Sequence, residues 1–293
     1  MSKVWVIVLA AGEGRRLSAL TRDASGASLP KQYCSFGRER PMVWWAIDRA
    51  LSVAPPERIV TVVAREHRVL WERALEGLPR ENVVVQPRNR GTAAGILLPL
   101  IEILRRDPDA TVVVLPSDHE VADEAALESS FELAIDEAGR EPGRLVLLGI
   151  TPDEVDAEYG WILPGRRRSA TASEVEVFVE KPSAAVAASL LLDGAVWNSF
   201  MFAANGRALL RLYARALPEL LKSFWSDLGD APGALDELYD RLGSHDFSRD
   251  LLERVADELA LVVVPPCGWS DLGTPARLTR FLGRSRAHAA LPA

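Results

Sequence analysis

The segment Leu9-Ala10-Ala11-Gly12-Glu13-Gly14-Arg15-Arg16-Leu17 joins small residues to cations in a way that suits phosphate chemistry. Ala10, Ala11, Gly12 and Gly14 let a ligand approach the main chain, and successive N–H groups in such a loop cradle phosphate oxygens. Arg15 and Arg16 add positive charge at its end. The loop is not a dinucleotide fingerprint, because Leu17 stands where the third glycine is needed, and it lacks the Lys-Ser/Thr of a Walker loop. Taken alone, it also fits a tight turn after a strand. Pro30-Lys31-Gln32 follows; its lysine is either a solvated surface charge or, after a loop that begins at the phosphate cradle, a phosphate contact. Further on, Asp118 ends an apolar run, where an Asp either caps the next turn or serves as an oxygen ligand.

These residues need elements to hold them. Residues 4–11 form a continuous apolar run, as in a central parallel strand buried on both faces. Further strands are predicted over 58–64, 82–85, 111–115 and 145–150. Helices are predicted over 41–53, with Trp44, Trp45, Ile47 and Leu51 as the apolar face, and over 67–78, 92–106 and 125–138. This alternation predicts an α/β fold with a Rossmann-like, doubly wound, mixed and mostly parallel sheet. The second half reads as strands 159–163 and 175–180 around a solvated basic turn at Arg166–Arg168. Then come a helix 183–192, a strand 197–204, a helix 208–217, a strand 261–265 and a terminal helix 275–282. No linker divides the chain. We expect one domain over 1–293, with a nucleotide-binding lobe at 1–150, a second-ligand lobe at 151–275 and a terminal helix and tail at 276–293. The cleft is expected at the carboxyl ends of the strands.

A formal net charge of -7 argues against non-specific nucleic-acid binding, though not against a small anion held locally. Cys34 and Cys267 lie outside any metal-binding spacing, which argues against zinc or a disulfide framework and for a reducing, cytoplasmic setting. The apolar start is too short for a membrane span and lacks the form of a signal peptide, so no membrane is expected.

A strand, then Leu-Ala-x-Gly-x-Gly-x-Arg-Leu, then Pro-Lys-Gln resembles the signature of the sugar-nucleotide pyrophosphorylases, and Pro-Lys-Gln is most similar to the mannose-1-phosphate guanylyltransferases. Other segments follow that family's order. Gln86-Pro87-Arg88-Asn89-Arg90-Gly91-Thr92 resembles its nucleobase segment, and Leu115-Pro116-Ser117-Asp118-His119 its metal segment. Glu158-Tyr159-Gly160-Trp161-Ile162, Phe178-Val179-Glu180-Lys181-Pro182, Trp197-Asn198-Ser199-Phe200-Met201-Phe202 and Trp269-Ser270-Asp271-Leu272-Gly273 complete the likeness, which spans residues 4–274.

The resemblance implies transfer of a nucleotidyl group from an NTP to a sugar 1-phosphate, with release of pyrophosphate. It implies catalytic cations at Arg16, on the triphosphate, and Lys31, on the α-phosphate. Nucleotide contacts fall on Ala10, Ala11, Gly12, Glu13, Gly14, Arg15, Gln86, Arg90, Gly91 and Thr92. Sugar-phosphate contacts fall on Gly160, Glu180, Lys181 and Asn198. Mg²⁺ (or Mn²⁺) is implied on Asp118 and Asp271, which sequence spacing alone does not bring together. Trp161 and Trp197 are expected to pack in the core, and His119 to hydrogen-bond rather than ligate.

Several positions depart from the family pattern. Ala11 replaces a Gly, Ala19 a Pro, Gly91 an Asn and Phe200 a Gly beside the sugar, and the loop 20–29 is longer. Gln86 replaces a Glu and is similar to the amide that reads a pyrimidine in thymidylyl- and uridylyltransferases. GTP with mannose 1-phosphate is the favoured pair, and glucose 1-phosphate with dTTP or UTP the alternative. A non-catalytic sugar-nucleotide-binding regulator is a third reading, disfavoured because Arg16, Lys31, Asp118 and Asp271 are all present. A nicotinamide dehydrogenase lacks its acidic residue after the second strand, where Val63-Ala64-Arg65 stands. No C-terminal β-helix is expected after Thr274, and a homodimer is left open.

Overall fold

Successive residues of a strand point to opposite faces of its sheet, so a strand apolar at every position must be covered on both sides. Strand β1 (Val4–Ala10) obeys this rule: Trp5 and Ile7 enter one core cluster, Val6 and Val8 another. The computed structural model describes residues 3–22, 26, 28–229 and 231–289. After β1 come α1 (Met42–Val53), β2 (Ile59–Ala64), α2 (Arg68–Ala74), β3 (Val83–Gln86), α3 (Gly91–Arg106) and β4 (Thr111–Pro116). β1 pairs in parallel with β2 and β4, and β2 in parallel with β3. Helix α4 (Glu124–Arg140) leads to β5 (Leu145–Ile150).

The remaining elements are β6 (Gly160–Arg167), β7 (Ser173–Glu180), α5 (Ala184–Leu192), β8 (Val196–Asn205), α6 (Gly206–Ala216), α7 (Pro218–Asp227), α8 (Ala234–Arg241), α9 (Phe247–Asp250), β9 (Leu259–Val264) and α10 (Pro275–Ala289). All the strands join one nine-stranded sheet in the order β3-β2-β1-β4-β8-β5-β9-β7-β6. The sheet is mixed. Its parallel pairs are those of β1–β4 and the pair β5–β9, while β8 lies antiparallel between β4 and β5. Helices α3, α6, α7 and α8 cover one face, and α1, α4 and α5 the other.

Three local expectations are corrected. In α1 Trp45 and Ile47 are buried as expected, together with Met42, Val43, Ala46, Arg49 and Ala50, but Leu51 lies one step beyond the i, i+3, i+4, i+7 stripe of Val43, Ala46, Ile47 and Ala50 and is 40% exposed. Helix α2 stops at Ala74, short of residue 78, in a turn before Pro79. The basic stretch at Arg166–Arg168 is no free turn: β6 runs through Arg167, and Arg166 and Arg168 both pair with Glu174 of β7. Trp161 and Trp197 are buried, as expected. In the long loop, residues 23–25 and 27 lie outside the described residues; its neck is closed by a bridge between Arg22 and Ser28.

Candidate active site

The carboxyl ends of β1, β3, β4 and β9, together with the facing ends of β6, β7 and β8, open on one cleft of about 470 Å³. A second hollow of about 440 Å³, lined by Gly12, Glu13, Gly14 and Leu17, shares Arg16, Lys31, Asn89 and Asp118 with it. Lys31 is 5% exposed. Its Nζ lies 3.0 Å from Asp118 Oδ2 and donates to the main-chain carbonyl of Asp271. A short pairing of Glu120 with Ser270 joins the two acidic loops: Glu120 N–H donates to Ser270 O (2.8 Å), and Ser270 N–H to Glu120 O (2.9 Å). That pairing places Asp118 and Asp271 at one lysine although the whole of 119–270 stands between them in sequence. Gln32 braces the glycine loop by donating to Ala10 O (3.0 Å) and Gly12 O (2.7 Å). His119 is buried and accepts from Trp269 Nε1 at 3.2 Å. Burial pushes its imidazole down to about 4, against the pull of Asp118 and Asp271.

The opposite wall holds Gly160, Glu180, Lys181 and Asn198. A Cβ on Gly160 would sit 2.6 Å from Glu180 Oε2 and 3.1 Å from Asn198 Cβ, so glycine is what lets these two side chains close together. Asn198 Oδ1 accepts from Phe200 N–H (3.0 Å) and Ser199 Oγ donates to Leu148 O (2.6 Å). These bonds hold a bulge in β8, where the register against β5 shifts and Phe200 takes φ 61°. A glycine adopts that conformation without strain; here a phenyl ring does so, packed edge-on to Phe247, and it lines the cleft.

Burial pushes the Glu180 carboxyl up to about 7, with Asp246 and Glu253 adding to the rise and Lys181 and Arg249 opposing it. A carboxyl raised on folding contributes stability that is complete below its ordinary 4.5 and is lost as pH rises through about 7. Glu180→Gln has no such loss. Its thermal midpoint should therefore exceed the parent's by about 4 °C at pH 8.5 and by little at pH 5. A midpoint difference that does not change with pH would refute this assignment.

A sequence profile of the nucleotidyl transferase family matches residues 5–282. The chain belongs to this family. Among similar proteins, the xanthan biosynthesis protein XanB of Xanthomonas campestris is 34% identical over 288 residues, which cover 94% of this chain and 58% of that protein. Mannose-1-phosphate guanylyltransferase of Escherichia coli is 31% identical, with 93% and 58% covered. The chain thus spans about 58% of the length of these relatives. A solved mannose-1-phosphate geranyltransferase from Thermus thermophilus superposes with a TM-score of 0.81 at 29% identity, over 92% of this chain and 76% of that one. A UDP-glucose pyrophosphorylase solved with UDP-glucose, 15% identical, shares the fold with a TM-score of 0.64 and 98% of this chain covered.

Nucleotidyl transferases generally use divalent metal ions. The acidic pair here fits such an ion. Asp118 and Asp271 both line the cleft, and Mg²⁺ takes one or two carboxylates together with phosphate oxygens and water. Among the described residues no group of three or more His, Cys, Asp or Glu is placed to hold a metal by itself, so phosphate oxygens would complete the set. Burial raises the Asp271 carboxyl, but Arg277, Lys31 and His119 outweigh it and hold the group below its ordinary range.

The other residues expected at the site are placed as follows. Ala11, Gly12, Gln86, Gly91 and Thr92 line the cleft, and Glu13 and Gly14 the adjoining hollow. Ala10 is fully buried, and its carbonyl accepts from Gln32 and Tyr33. The guanidinium of Arg90 donates to the carbonyls of Tyr239 (2.6 Å) and Asp240 (3.3 Å), where it anchors α8 and does not line the cleft. The side chain of Arg15 lies outside what the structure describes. Lys181 lies 4.0 Å from Glu180 at the exposed rim. Tyr159, Glu158 and Arg277 are the residues that sequence reasoning passed over. The first two lie in the segment Glu158–Ile162 with no pattern of their own that marks a role, and Arg277 lies beyond residue 274 with no signal around it.

Proposed function

We propose that this chain joins a sugar 1-phosphate to the nucleoside monophosphate unit of an NTP and releases pyrophosphate, with GTP and mannose 1-phosphate as the preferred pair. The observation that carries this reading is the meeting of Lys31, Asp118 and Asp271 between a glycine loop and a wall of hydroxyl-binding groups. Such a site has to bring two anions together and stabilise the charge of the transferred group. Fixed cations and positioning carry most of that work, and phosphoryl-transfer logic extends to nucleotidyl transfer.

The loop at Gly12–Gly14 receives the triphosphate. Arg16 reaches the same space, and its pair with Glu158 at 3.3 Å is more than half exposed on both sides, hence weak enough to yield to a phosphate. Among the described residues Lys31 has two partners, Asp118 and Asp271, which leaves its third N–H for the α-phosphate. An oxygen of the sugar 1-phosphate attacks the α-phosphorus, and the bond to pyrophosphate breaks. The attacking phosphate is already ionised at neutral pH, so no side chain has to remove a proton. Held by Asp118 and Asp271, Mg²⁺ would supply charge that lowers the repulsion between the reactants. Glu180 accepts from sugar hydroxyls, and Asn198 holds the wall beside it.

The named guanylyltransferase relatives support GTP and mannose 1-phosphate. Gln86 keeps a second base in play. Its Nε2 donates to Tyr239 Oη at 2.9 Å, which leaves Oε1 as an acceptor for a ring N–H that guanine, uracil and thymine all carry. No helix of the described residues is long and apolar enough to cross a membrane, and Cys34 and Cys267 are both free thiols. We place the reaction in the cytoplasm on the second of these observations.

Pyrophosphate release with Mg²⁺ tests the whole reading. GTP with mannose 1-phosphate should exceed every other combination of GTP, ATP, UTP, dTTP or CTP with mannose, glucose or N-acetylglucosamine 1-phosphate. Release with another pair overturns the pair and keeps the reaction. Folded protein that binds a nucleotide yet releases no pyrophosphate with any pair is a regulator, not an enzyme.

A further inference from the structure

Arg277 is a charged residue only 7% exposed, in the first turn of α10. Burying a guanidinium is costly unless its donors are matched, and these are. One Nη donates to Asp271 Oδ1 at 2.7 Å, and the other contacts Asp156 Oδ2. The planar head also stacks over the Tyr159 ring at 4.0 Å.

Asp271 is bonded unevenly. Its Oδ1 takes three donors: Arg277, the Tyr159 hydroxyl at 3.0 Å and Gly273 N–H at 2.8 Å. Among the described residues no donor reaches Oδ2. A carboxylate pinned through one oxygen cannot rotate, and it presents the other in a fixed direction. The second arm of the same guanidinium fixes the turn at Asp156. Asp156 Oδ1 accepts Glu158 N–H at 2.8 Å, and Glu158 in turn pairs with Arg16. Tyr159 is the next residue along.

We infer that Arg277 is the positioning residue for the metal-binding carboxylate of Asp271, and that it ties the terminal helix to the catalytic cleft. This rests on the function proposed above. The fork of the guanidinium matters as well as its charge. Lysine at 277 would keep one positive charge but lacks the planar pair of donors that bridges two carboxylates. Loss of outer hydrogen bonds to a metal-binding side chain typically weakens metal affinity by about 10- to 100-fold.

Trp269 lines the cleft and packs against His119 and Tyr159, so tryptophan fluorescence reports on this site. Protein is saturated with GTP, and free Mg²⁺ is then titrated while fluorescence is recorded. Arg277→Lys should raise the half-saturating Mg²⁺ by about tenfold. GTP binding without metal should not change, and kcat should recover to within a few-fold at saturating Mg²⁺. Asp156→Asn keeps an acceptor but frees the far arm, so it should raise the half-saturating Mg²⁺ a few-fold, and it serves if Arg277→Lys melts early. Folded variants that both titrate within twofold of the parent overturn the role of Arg277. So does a fall in kcat that no Mg²⁺ concentration restores while Mg²⁺ binding is unchanged. A parent protein that binds GTP with no response to Mg²⁺ overturns the site reading on which this one rests, and the parent curve alone shows which of the two has failed.

Discussion

Lys31→Ala should lower kcat by about 10³-fold while the protein stays folded, with KM for the nucleotide changed far less. The lysine is nearly inaccessible to water, and charge acts most strongly where water is excluded. Its ammonium is already oriented by Asp118 and the Asp271 carbonyl, so little rearrangement is needed when charge builds on the transferred phosphate. The fold should survive, because Asp118 is 37% exposed at its side chain and can be hydrated once its partner is gone. Single-turnover kinetics with a melting curve decide the matter. A kcat within tenfold of the parent would remove Lys31 from the chemistry.

The largest effect on stability is expected at Gly91. Its φ is 80°, and a Cβ there would lie 2.2 Å from His245 O, 2.8 Å from His245 C and 2.9 Å from His245 N. All three are main-chain atoms, so no side-chain rotation relieves the clash. The two segments are stitched together, since Ala93 N–H donates to His245 O and His245 N–H to Arg90 O. Left-handed strain of roughly 1–2 kcal/mol adds to overpacking of about 1–3 kcal/mol. Gly91→Ala should therefore lower the thermal midpoint by about 5–10 °C. Gly12→Ala is the control, because no atom lies within 4 Å of the added methyl and its backbone needs no positive φ. Equal midpoints for the two variants would contradict the packing described at Gly91.

The contrast between those glycines shows what a sequence can and cannot reveal. Both were legible as members of a ligand segment, but only the fold shows that one is held against a distant main chain. Strands were legible because β2, β4 and β5 are buried at every position and so read as unbroken apolar runs. The site was legible in part. Motif order pointed to Lys31, Asp118 and Asp271, yet their meeting depends on the Glu120–Ser270 pairing, whose residues carry no chemical signature of pairing. The placement of Arg90 was not legible, because an arginine beside a ligand segment looks like a ligand contact whether or not its guanidinium, as here, is bonded to carbonyls of α8. Arg277 was invisible because one arginine in an amphipathic terminal helix looks like any solvated cation until its two partly buried carboxylates are seen.

The insertion of β8 between β4 and β5 also governs how the chain reaches this state. β4 ends at residue 116 and β5 begins at 145, yet neither completes its pairing there until residues 196–205 arrive. During synthesis the first 150 residues therefore leave two apolar strand edges without their partner, and such edges invite association between chains. Pairings so remote in sequence also slow folding, because loop closure has to precede any gain from contact. Shortened versions ending before β8 should emerge from the ribosome as aggregating species rather than as a stable nucleotide-binding half.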